Sequence, residues 1–172
     1  VQLGGEYEER LIRVSDISLF EDFLTDFSSL GNTISMNGGN EMLLDAFALS
    51  LQNITTANLD LPSREWDDDV AESVPPKDQF KLSWRPGADK IVIIFSDEIE
   101  QSYLIPEVTV DEAIETCKGT PQLKTYTFSK LSFVWSWDEI ATQCGGKNYK
   151  LSNDSTEMYN YLMEILDEVC AL

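Results

Sequence analysis

The stretch that decides the fold is Lys90-Ile91-Val92-Ile93-Ile94-Phe95-Ser96-Asp97-Glu98. Its apolar run is far too short to span a membrane, but it has the length of a strand. A continuous apolar run, as opposed to an alternating one, is typical of a strand that is buried on both faces of a parallel sheet. The stretch therefore predicts a strand over 90–96, with Asp97 and Glu98 at its carboxyl end.

Helix-like and strand-like patterns alternate on both sides of this strand. Residues 1–17 read as two short strands or one bent strand, and residues 53–87 read as a long irregular insertion loop. Apolar spacing predicts helices over 19–30, 41–52, 110–118, 137–144 and 156–170, and strands over 123–129 and 147–151. Strands that alternate with helices indicate a parallel sheet covered on both faces. We therefore expect a single α/β domain over residues 1–172, with a doubly wound, mostly parallel sheet and helices on both faces.

The charge of the chain narrows the classes of partner. Its 172 residues include 12 basic and 31 acidic side chains, a net charge of −19, and no histidine. An excess of acid argues against nucleic acid, whose phosphates need Lys and Arg, and against anionic lipid surfaces. The absence of histidine removes the usual general base and the commonest zinc ligand. No apolar run reaches the ~20 residues of a spanning helix, so we expect no direct membrane insertion.

The cysteines and two glycosylation motifs bear on the cellular compartment. Cys117, Cys144 and Cys170 match no metal-binding spacing. Three alternatives are open: one disulfide with a free thiol, a bond to a partner outside the chain, or three reduced thiols. Asn53-Ile54-Thr55 and Asn153-Asp154-Ser155 are acceptor motifs for N-linked glycans if the protein is secreted by a eukaryotic cell.

Polar side chains point to a candidate metal site. Ligands of open parallel sheets bind at the carboxyl ends of the strands, where Asp97 lies. Glu41 opens the helix over 41–52, directly after Asn40 and a glycine pair. Oxygen atoms from Asn40, Glu41 and Asp97 could meet over one hard cation such as Mg²⁺, which prefers oxygen ligands. The alternative is purely local: Asn40 caps the helix, Glu41 complements its dipole, and Asp97 caps the following turn.

Three stretches, taken in order, resemble a von Willebrand factor type A domain in its integrin-β-like variant. Residues 38–47 resemble the second metal-binding loop of the family and its helix. Residues 84–98 resemble the fourth strand with its Thr-Asp-Gly loop, and residues 140–151 resemble the last helix–strand unit. The order and spacing agree along the whole chain, from Val1 to Leu172.

The resemblance implies a function for the acids. The family carries a metal-ion-dependent adhesion site, in which Asp97 matches the acid of the fourth-strand loop. Glu41 matches the acid of the second loop, and Asn40 is a polar neighbour. The resemblance thus implies that Mg²⁺, or Mn²⁺ or Ca²⁺, bridges to a carboxylate of a protein ligand. The implied role is adhesion without turnover, so not an enzyme, in a secreted or cell-surface protein.

The chain departs from the family pattern in three places. Ser96-Asp97-Glu98 replaces Thr-Asp-Gly, and the second loop has no Thr at the commoner ligand position, so Glu41 must substitute for it. Nothing matches the first strand of the family, which ends in Asp-x-Ser-x-Ser, or the long helix that follows it. We therefore expect an N-terminally incomplete domain that needs a complementing upstream segment or a second chain. Two alternatives stay open. One is a metal-assisted hydrolase, with Ser96 or Ser102 near the cation. The other is a metal-free type A scaffold for protein–protein interaction.

Overall fold

The computed structural model describes residues 43–51, 84–102, 107–130 and 134–170. In chain order the elements are α1 (Leu43–Ser50), β1 (Lys90–Ser96), α2 (Val110–Gly119), β2 (Leu123–Ser129), α3 (Val134–Gln143), β3 (Asn148–Lys150) and α4 (Ser155–Cys170). These confirm the predicted helices and strands between 41 and 170; the largest shift is the start of α3, at residue 134 rather than 137. The predicted helix over 19–30 and most of the 53–87 loop lie outside the described residues.

Packing divides the chain into two units. One comprises residues 1–83 and 101–109, and the other comprises residues 84–100 and 110–172. Of the first unit, the structure describes α1 and parts of the 101–109 segment. The single-domain interpretation of residues 1–172 stays a prediction.

Polar contacts tie the 101–109 segment to the first turns of α1. The backbone N–H of Leu44 donates to the carbonyl of Gln101 over 3.0 Å. The Ser102 hydroxyl donates to the Asp45 carboxylate and accepts the N–H of Val108 over 2.8 Å. Asp45 is fully buried, so this hydrogen bond partly offsets the cost of removing a carboxylate from water.

The second unit contains a three-stranded parallel sheet in the order β1-β2-β3. Consecutive parallel strands require crossover connections, which α2 supplies between β1 and β2 and α3 between β2 and β3. The register aligns Ile93 with Tyr126 and Thr127 with Asn148. Helices and parallel strands together give an α/β arrangement, as the alternating pattern predicted.

Successive residues of β2 contact helices on opposite faces of the sheet. Thr127 faces α3, and its hydroxyl lies 3.2 Å from the Trp137 carbonyl. Phe128 faces α4 and clusters with the buried Ile165. Because neighbouring strand residues point to opposite faces, α3 and α4 cover the two sides of β2. This explains why β2 is almost entirely buried despite its Thr and Ser residues.

An aromatic row crosses the face that α4 covers. The ring centroid of Phe128 lies 4.7 Å from that of Phe95 on β1 and 5.2 Å from that of Tyr149 on β3, in stacked geometry. Tyr161 of α4 closes the row, 4.9 Å from Tyr149. Such aromatic pairs contribute to stability beyond the area that they bury.

Two Lys-X-Tyr sequences, one on β2 and one at β3, orient α4. Lys124 lies 2.9 Å from Glu168, and Lys147 lies 2.7 Å from Glu164, so glutamates one helical turn apart each pair with one strand. Lys147 lowers the pKa of Glu164, and Lys124 lowers that of Glu168. Burial raises the pKa of Tyr149 to about 12, with a further contribution from Glu164. The ion pairs therefore link α4 to β2 and to the start of β3 at two points one helical turn apart.

Capping residues define the ends of the helices that cover the sheet. The Asp154 carboxylate accepts the N–H groups of Thr156 and Glu157 over 2.8 and 3.3 Å and so caps the start of α4. At the end of α3, Gly145 has a φ of +76°, a conformation that suits glycine. The N–H of Gly146 donates to the Ala141 carbonyl over 2.9 Å, which completes a Schellman motif.

The prediction that β1 is buried on both faces is wrong for one face. Ile93 is 38% exposed and Phe95 is 47% exposed, although both lie in the apolar run. In the part of the chain that the structure describes, β1 pairs with β2 alone. An edge position explains the exposure, because burial on both faces needs neighbours that continue the sheet and its covering helices.

Candidate functional site at the carboxyl end of the sheet

The loop after β1 is held by the last residue of the strand. Ser96 is buried, and its hydroxyl donates to the Glu98 carbonyl over 2.8 Å while accepting the Glu98 N–H over 3.0 Å. A serine that binds the backbone two residues ahead forms a local turn. This turn places Asp97 at the carboxyl end of β1, where the sequence predicted an acid.

Trp137 of α3 fixes the same loop from the opposite side. Its side chain is fully buried, and its indole N–H donates to the Glu98 carbonyl over 2.8 Å. The loop backbone is therefore fixed at both Ser96 and Glu98. A carboxylate on such a rigid loop is well positioned to bind a partner, because little ordering is needed on binding.

Asp97 forms an ion pair with a residue that the sequence pattern did not indicate. Its carboxylate lies 2.9 Å from the ammonium of Lys130, the residue that follows β2. Both side chains are about half exposed, at 50% for Asp97 and 52% for Lys130. The parallel register pairs Ser96 with Ser129, so residues 97 and 130 leave the sheet side by side. Aligning the ends of the two predicted strands, over 90–96 and 123–129, would have indicated that Lys130 lies beside Asp97.

A polar cluster joins β2 and β3 near the same end of the sheet. The Asn148 side-chain carbonyl accepts the hydroxyls of Thr127 over 2.8 Å and Ser129 over 3.1 Å. Both hydroxyl residues are fully buried, so these bonds satisfy groups that water cannot reach. The cluster holds β2 and β3 together, and the accessible polar groups beside it are Asp97 and Lys130.

Two exposed apolar residues flank this end of the sheet. Trp135, in the first turn of α3, is 81% exposed, and Ile99 follows the loop after β1 with substantial exposure. Trp135 lies two residues before the buried Trp137, so the helix directs one indole to the core and the other to solvent. Tryptophan is among the residues most often found to carry binding energy in protein interfaces.

The other predicted metal ligands are not placed. Asn40 and Glu41 lie outside the described residues, so their convergence with Asp97 stays a prediction. Among the described residues, no group of three or more Cys, Asp or Glu side chains could hold a metal ion. Asp97 by itself is a hard oxygen donor, which is the chemistry that Mg²⁺, Mn²⁺ or Ca²⁺ requires.

The serines that the hydrolase alternative would use are both hydrogen-bonded. Ser96 donates within its own turn, and Ser102 donates to the buried Asp45. Asp45 had not been singled out from the sequence, because nothing local distinguishes it from a solvent-facing helix acid. These contacts explain both hydroxyls structurally, and the hydrolase alternative stays untested.

The structure selects one of the cysteine alternatives. Cys117 of α2 and Cys144, just after α3, form a disulfide with a Cα–Cα distance of 5.6 Å, and Cys170 is a free, exposed thiol. Both bonded cysteines are buried. Among the described helices, none is both long enough and apolar enough to cross a bilayer. A structural disulfide is compatible with an oxidising, extracellular environment.

Comparisons with protein-family models, with curated proteins and with solved structures find no match to this chain.

Proposed function

We propose that this chain is a protein-binding domain of a secreted or cell-surface protein, built as a doubly wound type A-like sheet, whose ligand meets the carboxyl end. The main support is the position of Asp97: its carboxylate is half exposed, on a loop that hydrogen bonds from Ser96 and Trp137 hold in place. The parallel order of β1, β2 and β3 and the helices on both faces of β2 are compatible with that fold. The buried disulfide supports the extracellular location.

In the metal-dependent form of the proposal, Asp97 acts with Asn40 and Glu41. Together they would hold Mg²⁺, or Mn²⁺ or Ca²⁺, and a carboxylate of the protein ligand would complete the coordination. In this form the Lys130 ammonium, 2.9 Å from the Asp97 carboxylate, competes with the metal ion. An exposed ion pair contributes about 0–1 kcal/mol, so a divalent ion could displace Lys130 at little cost.

Thermal unfolding with and without Mg²⁺, Mn²⁺ or Ca²⁺ tests this form. We expect the metal to raise the Tm of the wild-type chain. At a hundredfold excess over Kd, the unfolding free energy should increase by about 2.7 kcal/mol. Asp97→Asn should abolish the increase, whereas Lys130→Met should preserve or enlarge it by removing the competing ammonium. Asp138→Asn, at an exposed acid of α3, is the matched control. Equal metal effects in the Asp97 and Asp138 variants would contradict a site at Asp97.

A metal-free scaffold for protein–protein interaction is the second candidate. Two observations favour it: Lys130 already neutralises Asp97, and Trp135 presents an exposed indole at the same end of the unit. In this form the ligand would pack on Trp135 and Ile99 without a bridging cation. It predicts no metal effect on Tm in the wild type or in the Lys130→Met variant, which separates it from the metal-dependent form.

We further propose that β1 pairs with an additional strand from an upstream segment or a second chain. Lys90 donates its N–H to Gln122 across the β1–β2 pair, over 2.8 Å. Backbone groups alternate in direction along a parallel strand, so those of Ile91, Ile93 and Phe95 point away from β2. The exposed Ile93 and Phe95 side chains lie beside this edge and would gain cover from an added strand.

Amide hydrogen exchange on the isolated chain tests the open edge. We expect the N–H groups of Ile93 and Phe95 to exchange quickly, while those of Val92 and Ile94, directed at β2, are protected. Ile93→Pro removes only an outward donor and should leave the sheet intact, since edge positions tolerate proline. Strong protection of the Ile93 and Phe95 N–H groups from exchange in the isolated chain would mean that this edge of β1 is already paired, which would contradict the proposal.

A further inference from the structure

We infer that Asn153 is an attachment site for an N-linked glycan. This inference rests on the proposed secreted or cell-surface location, in a eukaryotic cell, because glycan transfer takes place in the secretory pathway. Asn153-Asp154-Ser155 has the acceptor pattern Asn-X-Ser, in which the middle residue is not proline. Motifs of this length arise by chance, so occupancy of Asn153 depends on where the fold places these residues.

The fold presents both chemically required side chains to solvent. Asn153 lies in the bend between β3 and α4, and Asn153 and Ser155 are both exposed. In the part of the chain that the structure describes, neither the Asn153 amide nor the Ser155 hydroxyl takes part in a side-chain hydrogen bond. Attaching a bulky, hydrophilic group at Asn153 therefore breaks no contact of the folded unit.

The middle residue of the motif, Asp154, is the one that caps the start of α4. Asp154, not Asn153 or Ser155, accepts the N–H groups of Thr156 and Glu157 that begin α4. The cap thus persists whether or not the neighbouring asparagine is modified. This separation of roles also means that the outer two residues can be substituted without removing the helix cap.

The transfer step is a substitution at a sugar carbon. The Asn153 side-chain nitrogen attacks the anomeric carbon of an oligosaccharide carried on a lipid pyrophosphate. A nitrogen–carbon bond forms, the bond from that carbon to the pyrophosphate oxygen breaks, and the lipid pyrophosphate leaves with the electron pair. The amide proton passes to a base of the transferring enzyme, and no oxidant or reductant is required.

The position of Asn153 relates the glycan to the proposed ligand surface. The carboxyl ends of parallel strands lie at one end of the sheet, so the bend after β3 lies at the same end as the loop after β1. With β2 between them, β1 and β3 lie about 10 Å apart, twice the spacing of adjacent strands. A glycan at Asn153 would border the proposed ligand surface on its β3 side.

Peptide mapping of the full chain, expressed in mammalian cells behind a cleavable secretion signal, tests the inference. The supplied signal delivers the chain to the glycosylating compartment, so the result is independent of the native location and of ligand binding. Total cellular protein is analysed together with the medium, because transfer precedes export. Treatment with a glycan-removing amidase in heavy-oxygen water converts an occupied Asn153 to labelled aspartate.

We expect labelled aspartate at position 153 in the wild type and in Ser155→Thr, and its complete loss in Asn153→Gln and Ser155→Ala. Asn53→Gln is the matched control, since it removes the other acceptor motif and should leave occupancy at Asn153 unchanged. Formation of the Cys117–Cys144 disulfide in each variant, read from the same peptide map without reduction, verifies the fold. An unmodified Asn153 in wild-type protein that contains this disulfide would overturn the inference, whatever the outcome of the metal experiments.

Discussion

β1 and β2 are neighbouring strands of equal length, yet their environments are opposite. β1 reads Lys-Ile-Val-Ile-Ile-Phe-Ser and leaves Ile93 and Phe95 substantially exposed. β2 reads Leu-Lys-Thr-Tyr-Thr-Phe-Ser and buries nearly every residue, including Thr125, Thr127 and Ser129. The more apolar strand is thus the less buried of the two.

The difference shows that position in the sheet, more than composition, sets burial here. β2 has a strand on each side and a helix on each face, whereas β1 has one strand neighbour in the described part of the chain. The hydroxyls of Thr127 and Ser129 tolerate burial because both donate to Asn148, whereas the buried Thr125 hydroxyl has no hydrogen-bond partner among the described residues. The apolar residues of β1 are in excess of what its described neighbours require, which is the pattern expected of a strand that gains a further partner.

Truncating the two stacked phenylalanines is expected to give the largest difference between β1 and β2. Phe128 is fully buried, so Phe128→Ala should cost about 3–5 kcal/mol of unfolding free energy. Phe95 stacks on it but is 47% exposed, so Phe95→Ala should cost about 1–2 kcal/mol. Chemical denaturation of both variants measures the difference. Equal costs would show that β1 is covered as fully as β2.

The disulfide tests how firmly the helices on the Thr127 side of the sheet are held. The bond joins residues 27 apart, and removing it in the double variant Cys117→Ala/Cys144→Ala should destabilise the chain by about 3–4 kcal/mol. Cys170→Ala is the control, since this thiol is exposed and unbonded, and its effect should be small. If denaturation midpoints of the double variant and the control coincide, the bond does not stabilise the cover over β2.

Adjacent glycines probe how closely α3 approaches the backbone of β2. A Cβ atom on Gly146 would come within 2.7 Å of the Thr125 carbonyl carbon, so Gly146→Ala should cost about 1–3 kcal/mol. Gly145→Ala meets no such clash and should lose only about 1–2 kcal/mol, through its positive φ. Comparing the two Tm values separates steric overlap from backbone strain. A larger loss at Gly145 would argue against the close approach.

The smallest expected effect concerns the ion pairs that align α4 over β2 and β3. The pKa values of Glu164 and Glu168 are lowered in the folded chain, so their contribution is present above the ordinary value of 4.5 and is lost as the pH falls further. Glu164→Gln and Glu168→Gln should therefore flatten the decline of Tm between neutral pH and about pH 3. Glu139→Gln, at an exposed α3 residue, is the control. If Tm declines with falling pH in both variants as it does in the wild type, the ion pairs do not stabilise the position of α4.

The helices and strands of the described residues could be predicted because their signals are local. The lengths of β1 and β2, the helical period of α2 and α4, and the Gly145-Gly146 end of α3 can all be read within short windows of sequence. The site could be predicted only in part. Asp97 was found because it directly follows an apolar strand, but Lys130 was missed because its contact depends on the register between two strands. The proposed roles of Asn40 and Glu41 stay predictions.

Local sequence was enough to locate the described helices and strands, and the ends of several of them, because helical hydrogen bonding and capping involve residues a few positions apart. The tertiary structure alone decided which strand is central, which cysteines pair, that Asp45 is buried against Ser102, and that Lys130 reaches Asp97. These contacts join residues distant in the chain. They depend on how whole elements pack and register against one another, and no short window of sequence contains that information.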